Sequence, residues 1–268
     1  MAECGNGRYI GTNYECQRPP GSNEKLRVNR NIGDIWDHLD AEPATGNIEL
    51  YVYIVDSVKP HGNSLTGYTF QQRGSGPNFQ GGQITLCTCK HQMRSCKHDI
   101  SAWKNNVWIA GFTGRAEKGF DGKNWLFYLM KVGKSFSTHK ELAEYFTKCL
   151  SPQVLEAKRA DKNYLGDLFV PRGKSEGASP NSWLEPSNYI APKVGKHSHC
   201  MPGNPSHWEW DICSEYWGRN PALLLGEADK SFLWLDPTIW YSEPLPRTKK
   251  FSGKDEVNVF LNNLEPHG

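Results

Sequence analysis

The sequence predicts an α+β domain: a central, mostly antiparallel sheet or a small barrel, with flanking helices and long loops. Three observations predict it. Strand-like runs of β-branched and aromatic residues recur at 48–57, 83–89, 106–113 and 125–132. One strong helical period follows at 137–150, and the connections are rich in Gly, Ser, Asn and Pro.

Residues 1–47, rich in Gly, Asn, Arg and Pro, read as an N-terminal extension carrying one short helix over 31–39. A single domain is expected over 48–268. Its first run, IELYVYIVDS (48–57), is apolar on both alternating faces, as a strand covered on both sides would be. QITLCTC (83–89), NVWIAGFT (106–113) and WLFYLMKV (125–132) supply three more strands. GRAEKGFDGKN joins the last two and suits a hairpin connection longer than the tight two-residue kind. In STHKELAEYFTKCL, Leu142, Tyr145, Phe146 and Cys149 fall at helical spacing, and Thr138 and Glu141 are spaced as a capping box. LGDLFV (165–170) is a further strand stopped by Pro171, and 172–206 reads as a long surface loop. The C-terminal part offers the runs ALLLG and SFLWLD. A last helix is expected in KDEVNVFLNNLE (254–265), with Ser252 and Asp255 as its capping pair.

No window reaches the roughly 18 to 20 apolar residues that cross a bilayer, and the first residues lack the apolar core of a secretory signal. The expectation is a cytoplasmic protein with no membrane partner. Motifs for phosphate-loop or dinucleotide binding are missing, which sets nucleotide kinases and dehydrogenases aside. The net charge is only +2, so a polyanion partner has to be argued from local clusters: Lys90, His91, Arg94, Lys97 and His98; Lys193, Lys196, His197 and His199; and Arg247, Lys249 and Lys250. A solvated charged face is the plain alternative for each.

Without a secretion signal, the eight cysteines read as thiols or metal ligands before disulfides. On a strand, Cys87 and Cys89 would share one face about 7 Å apart, and His91, Cys96 and His98 follow closely. A zinc ion can be drawn on these five, or on two of them with two from HSHC (197–200). The spacing is not a common zinc pattern, and the expectation is no cofactor. Small buried thiols and ordinary turn histidines account for the same residues.

The stretch GPNFQGGQITLCTCKHQMR, with LYVYIVDS before it and NVWIAGFTGR and LFYLMKVGKSFSTHKELAEYF after it, resembles the nucleotide modification associated domain family of DNA base hypermodification and phage conflict systems. The matching positions are Gly74, Pro77, Asn78, Gly82, Thr85, Leu86, Cys89, Lys90, Arg94, Trp108, Gly111, Gly114, Tyr128, Phe136 and Tyr145, over roughly 50–146. The family's Gly-Asp before the Trp-bearing strand is replaced here by Asn105 and Asn106, and only Cys89 of the five metal candidates belongs to the pattern.

The resemblance implies DNA as partner, recognition of a modified base and a phage-defence or DNA-modification setting. A base-directed protein must bind single strands or extrude the nucleotide. On that reading Asn78, beside Gly82, presents its amide to a base edge, Lys90 and Arg94 hold phosphates, and Trp103, Trp108 or Tyr128 offers a stacking face. N-glycosylase-type hydrolysis is the first chemistry to expect, with Asp56 and Asp167 as candidate carboxylates. Core packing for the aromatics and turn formation for the acids are the competing roles. The strand order around one helix also resembles the small PUA-like barrels of the pseudouridine-synthase-associated type, which implies a non-enzymatic reader as alternative. A zinc-binding protein or hydrolase is the third reading.

Overall fold

The computed structural model describes residues 8–9, 26–40, 47–63, 67–72, 76–149, 152–159, 167–173, 182–193, 197, 203 and 207–267. Among them the fold is α+β, a curled half-barrel of mostly antiparallel strands with few helices, consistent with a PUA-like barrel.

The main sheet runs in the order β13 (Thr248–Ser252), β3 (Glu49–Ile54), β7 (Val107–Phe112), β8 (Asn124–Phe136), β11 (Leu223–Leu233) and β2 (Arg27–Val28). The short β6 (Thr85–Leu86) joins through β11, and β12 (Ile239–Tyr241) joins through the start of β8 and pairs with β14 (Leu264–Pro266). Among the described strands, β3 with β7 and β11 with β2 pair in parallel and the others are antiparallel. All of β7, and the first nine residues of β8, are buried, which explains their unbroken apolar spelling. Register shifts at Gly111/Phe112, Leu225/Gly226 and Gly226/Ser231 bend the strands, because a bulge adds a residue on one side of the ladder and increases local twist. The curl of the half-barrel follows from them.

The runs ALLLG and SFLWLD are therefore one strand, carried through the polar residues between them by these irregularities. A second, three-stranded sheet orders β1 (Arg8–Tyr9), β5 (Gly67–Gln72) and β4 (Val58–Asn63), and Phe70 of β5 meets Phe120 and Phe127 edge-on in the core. Residues 26–40 of the expected extension are built into this body. β2 lies on β11, and Leu26 with Ile35 and Leu39 of α1 (Ile32–Asp40) is buried in the main apolar cluster.

The 137–150 segment forms α3 (His139–Cys149). The Thr138 hydroxyl accepts from the Glu141 N–H at 3.2 Å, and the Glu141 carboxylate accepts from the Ser137 N–H at 2.8 Å. The last helix, α6 (Lys254–Asn262), is closed by Glu256 rather than Asp255, since Glu256 accepts from the Ser252 N–H at 2.6 Å. Only Thr85–Leu86 of the 83–89 run pairs as strand. After it the chain turns at Lys90, which holds a left-handed φ of 56°, into α2 (His91–Arg94). Within the expected loop, β10 (Tyr189–Ile190) pairs back onto β9 (Val170–Pro171).

Gly111 stands where the fold leaves no room for a side chain. A Cβ there would stand 2.3 Å from Tyr128 Cε1 and 2.8 Å from Val55 Cγ2, so the Tyr128 ring lies over the bare backbone of its cross-strand partner. Gly111→Ala is expected to cost about 1–3 kcal/mol as the ring is forced off its place. A denaturation midpoint unchanged from wild type would refute this packing.

Candidate functional site

The polar residues gathered in the interior fall into two linked groups below α2. In the first, Lys158, the last residue of α4 (Pro152–Lys158), is fully buried. Its Nζ donates to Asn78 O (3.0 Å), Asn78 Oδ1 (3.2 Å), Gln83 O (2.7 Å) and Thr85 Oγ1 (3.1 Å). Thr85 in turn donates to Asp167 Oδ1 at 2.9 Å. Burial pulls the Lys158 ammonium down to about 8 against the pull of Asp167 and Cys87, and raises the Asp167 carboxyl. Cys87 faces the same carboxyl and is pushed well up by burial, which makes it a thiol.

The second group centres on Asp211 in α5 (Trp210–Cys213). Its buried carboxylate lies between two imidazoles, with Oδ1 2.9 Å from His91 Nε2 and Oδ2 2.8 Å from His197 Nε2. His139, at the start of α3, is also buried. The Phe169 N–H donates to its Nδ1 at 3.3 Å, so the neutral ring carries its proton on Nε2, which is turned to the Asp211 backbone. Burial, with Arg94 and His197 adding to it against Asp211, pushes His139 down to about 3. Phe169, Tyr189, Trp208 and Ile212 form an apolar cluster, and the Phe169 ring packs against both His139 and His197. Arg94 links the groups: its charge is felt by Asp167, Asp211, Cys87 and Cys89.

A cavity of about 10 Å³, room for about one water molecule, opens between Ser137 and Thr138 with the first residue of α3 (His139), Trp183–Leu184, Asp211–Ile212 and Asn220–Pro221. A polar cell of this size next to a carboxylate and an imidazole can position one small hydroxylic molecule. It cannot admit a nucleobase.

The residues expected from the sequence are dispersed. Asn78 is buried, and its Oδ1 accepts from the Gln80 N–H (2.9 Å) as well as from Lys158. Its amide therefore shapes the turn instead of facing a base. Gly82 sits within the same turn at φ 81°. Arg94, 1% exposed, donates Nε to Cys89 O (2.7 Å) and Nη1 to Ala222 O (2.6 Å), which corrects its expected role as a phosphate contact. Trp103, Trp108 and Tyr128 are fully buried, and core packing wins for all three. Lys90 stays partly exposed at the surface, with Nζ 4.8 Å over the Tyr53 ring and near Arg247 O. Asp56 is 68% exposed in its side chain, 4.0 Å from Arg247. Of the two acids, Asp167 alone lies inside the buried network.

The five metal candidates do not converge. Cys87 faces Asp167, Cys89 faces Tyr53, Cys96 Sγ is 3.3 Å from the Tyr51 hydroxyl, His91 is taken by Asp211, and His98 is exposed. No group of three His, Cys, Asp or Glu with metal-binding geometry occurs among the described residues, and His199 and Cys200 lie outside them, as does Gly74. Sequence reasoning missed His139, Lys158 and Asp211. The one available signal for Asp211 is its place in HWEWDIC, an acid inside an aromatic and aliphatic run.

In comparisons with protein-family models, curated proteins and solved structures, nothing matches the chain.

Proposed function

We propose that this protein acts on DNA carrying a modified nucleobase and hydrolyses the N-glycosidic bond of that nucleotide, in a DNA-modification or phage-defence setting. The observation that supports it is the buried Asp211 carboxylate, flanked by two imidazoles, at the wall of a cavity holding about one water. The Ser137 and Thr138 hydroxyls and Asn220, which line the cavity, offer that water further partners. Asp211 accepts the proton the water loses as its oxygen bonds C1′; the C1′–N bond breaks, the leaving base nitrogen outside the cavity takes a proton from solvent, and Asp211 returns its own to solvent. The base itself stays outside the cavity, extruded from the stack. Asp211 thus takes the role the sequence suggested for Asp56 or Asp167.

Incubation with unmodified and hypermodified phage DNA, followed by mass spectrometry of free bases and an abasic-site assay, tests this. Asp211→Asn keeps the shape and removes the base, so release is expected to drop at least about 100-fold while DNA binding persists. Binding of modified DNA without any release by the wild-type protein would overturn the hydrolytic reading in favour of a PUA-like reader.

A further inference from the structure

Five residues beyond the buried acid Asp211, the chain makes a reverse turn at the rim of the cavity. Tyr216 and Arg219 pair as an antiparallel bridge, with the Tyr216 N–H donating to Arg219 O (2.9 Å) and the Arg219 N–H to Tyr216 O (3.1 Å). The central residues Trp217 and Gly218 both have positive φ, 56° and 71°, the pattern of a type I′ turn. Asn-Gly is the usual pair there, because asparagine tolerates the left-handed region and a bulky side chain does so at a cost. Here the residue bearing that cost is a tryptophan, and its side chain does not enter the core: Trp217 is 65% exposed.

The turn is wired to the site. Tyr216 stacks on His91, with centroids 6.3 Å apart and planes 12° from parallel, and His91 holds Asp211. Trp217 stands against Tyr216, and Asn220 and Pro221, directly after the turn, line the cavity. A second exposed indole, Trp210, immediately precedes Asp211. A strained backbone that lifts a large aromatic ring into solvent, next to a buried acid–imidazole group, has a function to explain it better than packing does.

We propose that the Tyr216–Arg219 turn is a stacking platform, with the Trp217 indole taking the face of an unpaired nucleobase beside the Asp211 site. The choice of a nucleobase over another planar ring rests on the reading given under Proposed function. Stacking tolerates any base, because each has a π-face.

The test uses the full chain and a short single-stranded oligodeoxynucleotide containing one 2-aminopurine, whose emission is quenched on stacking. Trp217→Asn installs the residue the turn geometry prefers, so its melting temperature is expected to equal or exceed that of wild type. Affinity should fall about tenfold, with the quenching lost, and Trp217→Phe should retain part of both. A Trp217→Asn protein that binds and quenches as wild type does, or one that loses thermal stability along with binding, overturns the proposal. So does a wild-type protein that does not bind the oligonucleotide. Quenching by wild type without base release from any DNA leaves the platform standing and sinks the hydrolytic reading. Base release that Trp217→Asn leaves unchanged, with quenching also unchanged, does the reverse.

Discussion

Arg94→Ala is expected to destabilise the protein by about 3–5 kcal/mol, because its buried guanidinium is the donor to two buried carbonyls. The guanidinium spans two carbonyls, Cys89 O at the entry to α2 and Ala222 O at the start of β11, while the Ala222 N–H donates back to Arg94 O at 3.2 Å. Truncation leaves both carbonyls buried without donors, at about 1–3 kcal/mol each, and removes the cation that Asp167 and Asp211 both feel. Arg94→Lys should recover less than half of the loss, because an ammonium is a point donor where the planar fork reaches in two directions. Urea denaturation with an unchanged slope would measure the effect. Lys90→Ala is the contrast. Its partly exposed side chain makes one cation–π contact and one long contact to a carbonyl, so the stability cost should stay within about 1 kcal/mol. If Lys90 touches a phosphate, the salt slope of DNA binding falls by about one. An Arg94→Ala protein as stable as wild type would show that the guanidinium is not the tie between α2 and β11.

The contrast between Lys90 and Arg94 shows what the sequence could and could not reveal. The strands at 49–54, 107–112 and 124–136 and the helix at 139–149 were legible because their signals are local: apolar spelling of buried strands, a 3.6-residue period, a Thr-x-x-Glu cap. The continuity of β11 was hidden, because Glu227, Ala228, Asp229 and Lys230 separate two short apolar runs while the chain carries them through as an irregular strand. The site was least legible. Lys90 and Arg94 look alike as letters four apart, yet the left-handed turn at Lys90 starts a helix that sends Arg94 inward and leaves Lys90 outside. Asn78 and Lys158 were unreadable as partners for the same reason, since an 80-residue separation is closed only by the packing of α4 against the Pro77–Gln83 turn. Asp211 needed His91 from one end of the sheet and His197 from the long loop, a convergence that no local pattern encodes.

The second large effect is on acid stability, and it turns on His139. In the folded protein burial holds this imidazole neutral down to about pH 3, whereas in the unfolded chain it titrates near its ordinary value of about 6.5. Between those values the unfolded state binds a proton that the folded state refuses. Stability conferred by the neutral ring is therefore fully present above about pH 6.5 and is lost as pH falls, by up to about 1.4 kcal/mol per pH unit. His139→Asn separates this from the titration of every other acid and imidazole. Asparagine can place its carbonyl oxygen where Nδ1 now accepts from the Phe169 N–H, but it takes up no proton. At pH 7 the variant should be weaker than wild type by about 1–2 kcal/mol through the lost ring contacts with Phe169, 4.8 Å away, and Tyr189, 6.1 Å away. Because the wild type alone loses stability through this group on acidification, the two curves are expected to converge below about pH 6 and cross near pH 5. Denaturation midpoints for both proteins at half-unit steps from pH 4 to 8 would show the crossing. A constant difference across that range would mean that His139 takes up its proton alike in the folded and unfolded chains, and that the imidazole beside Asp211 is open to water.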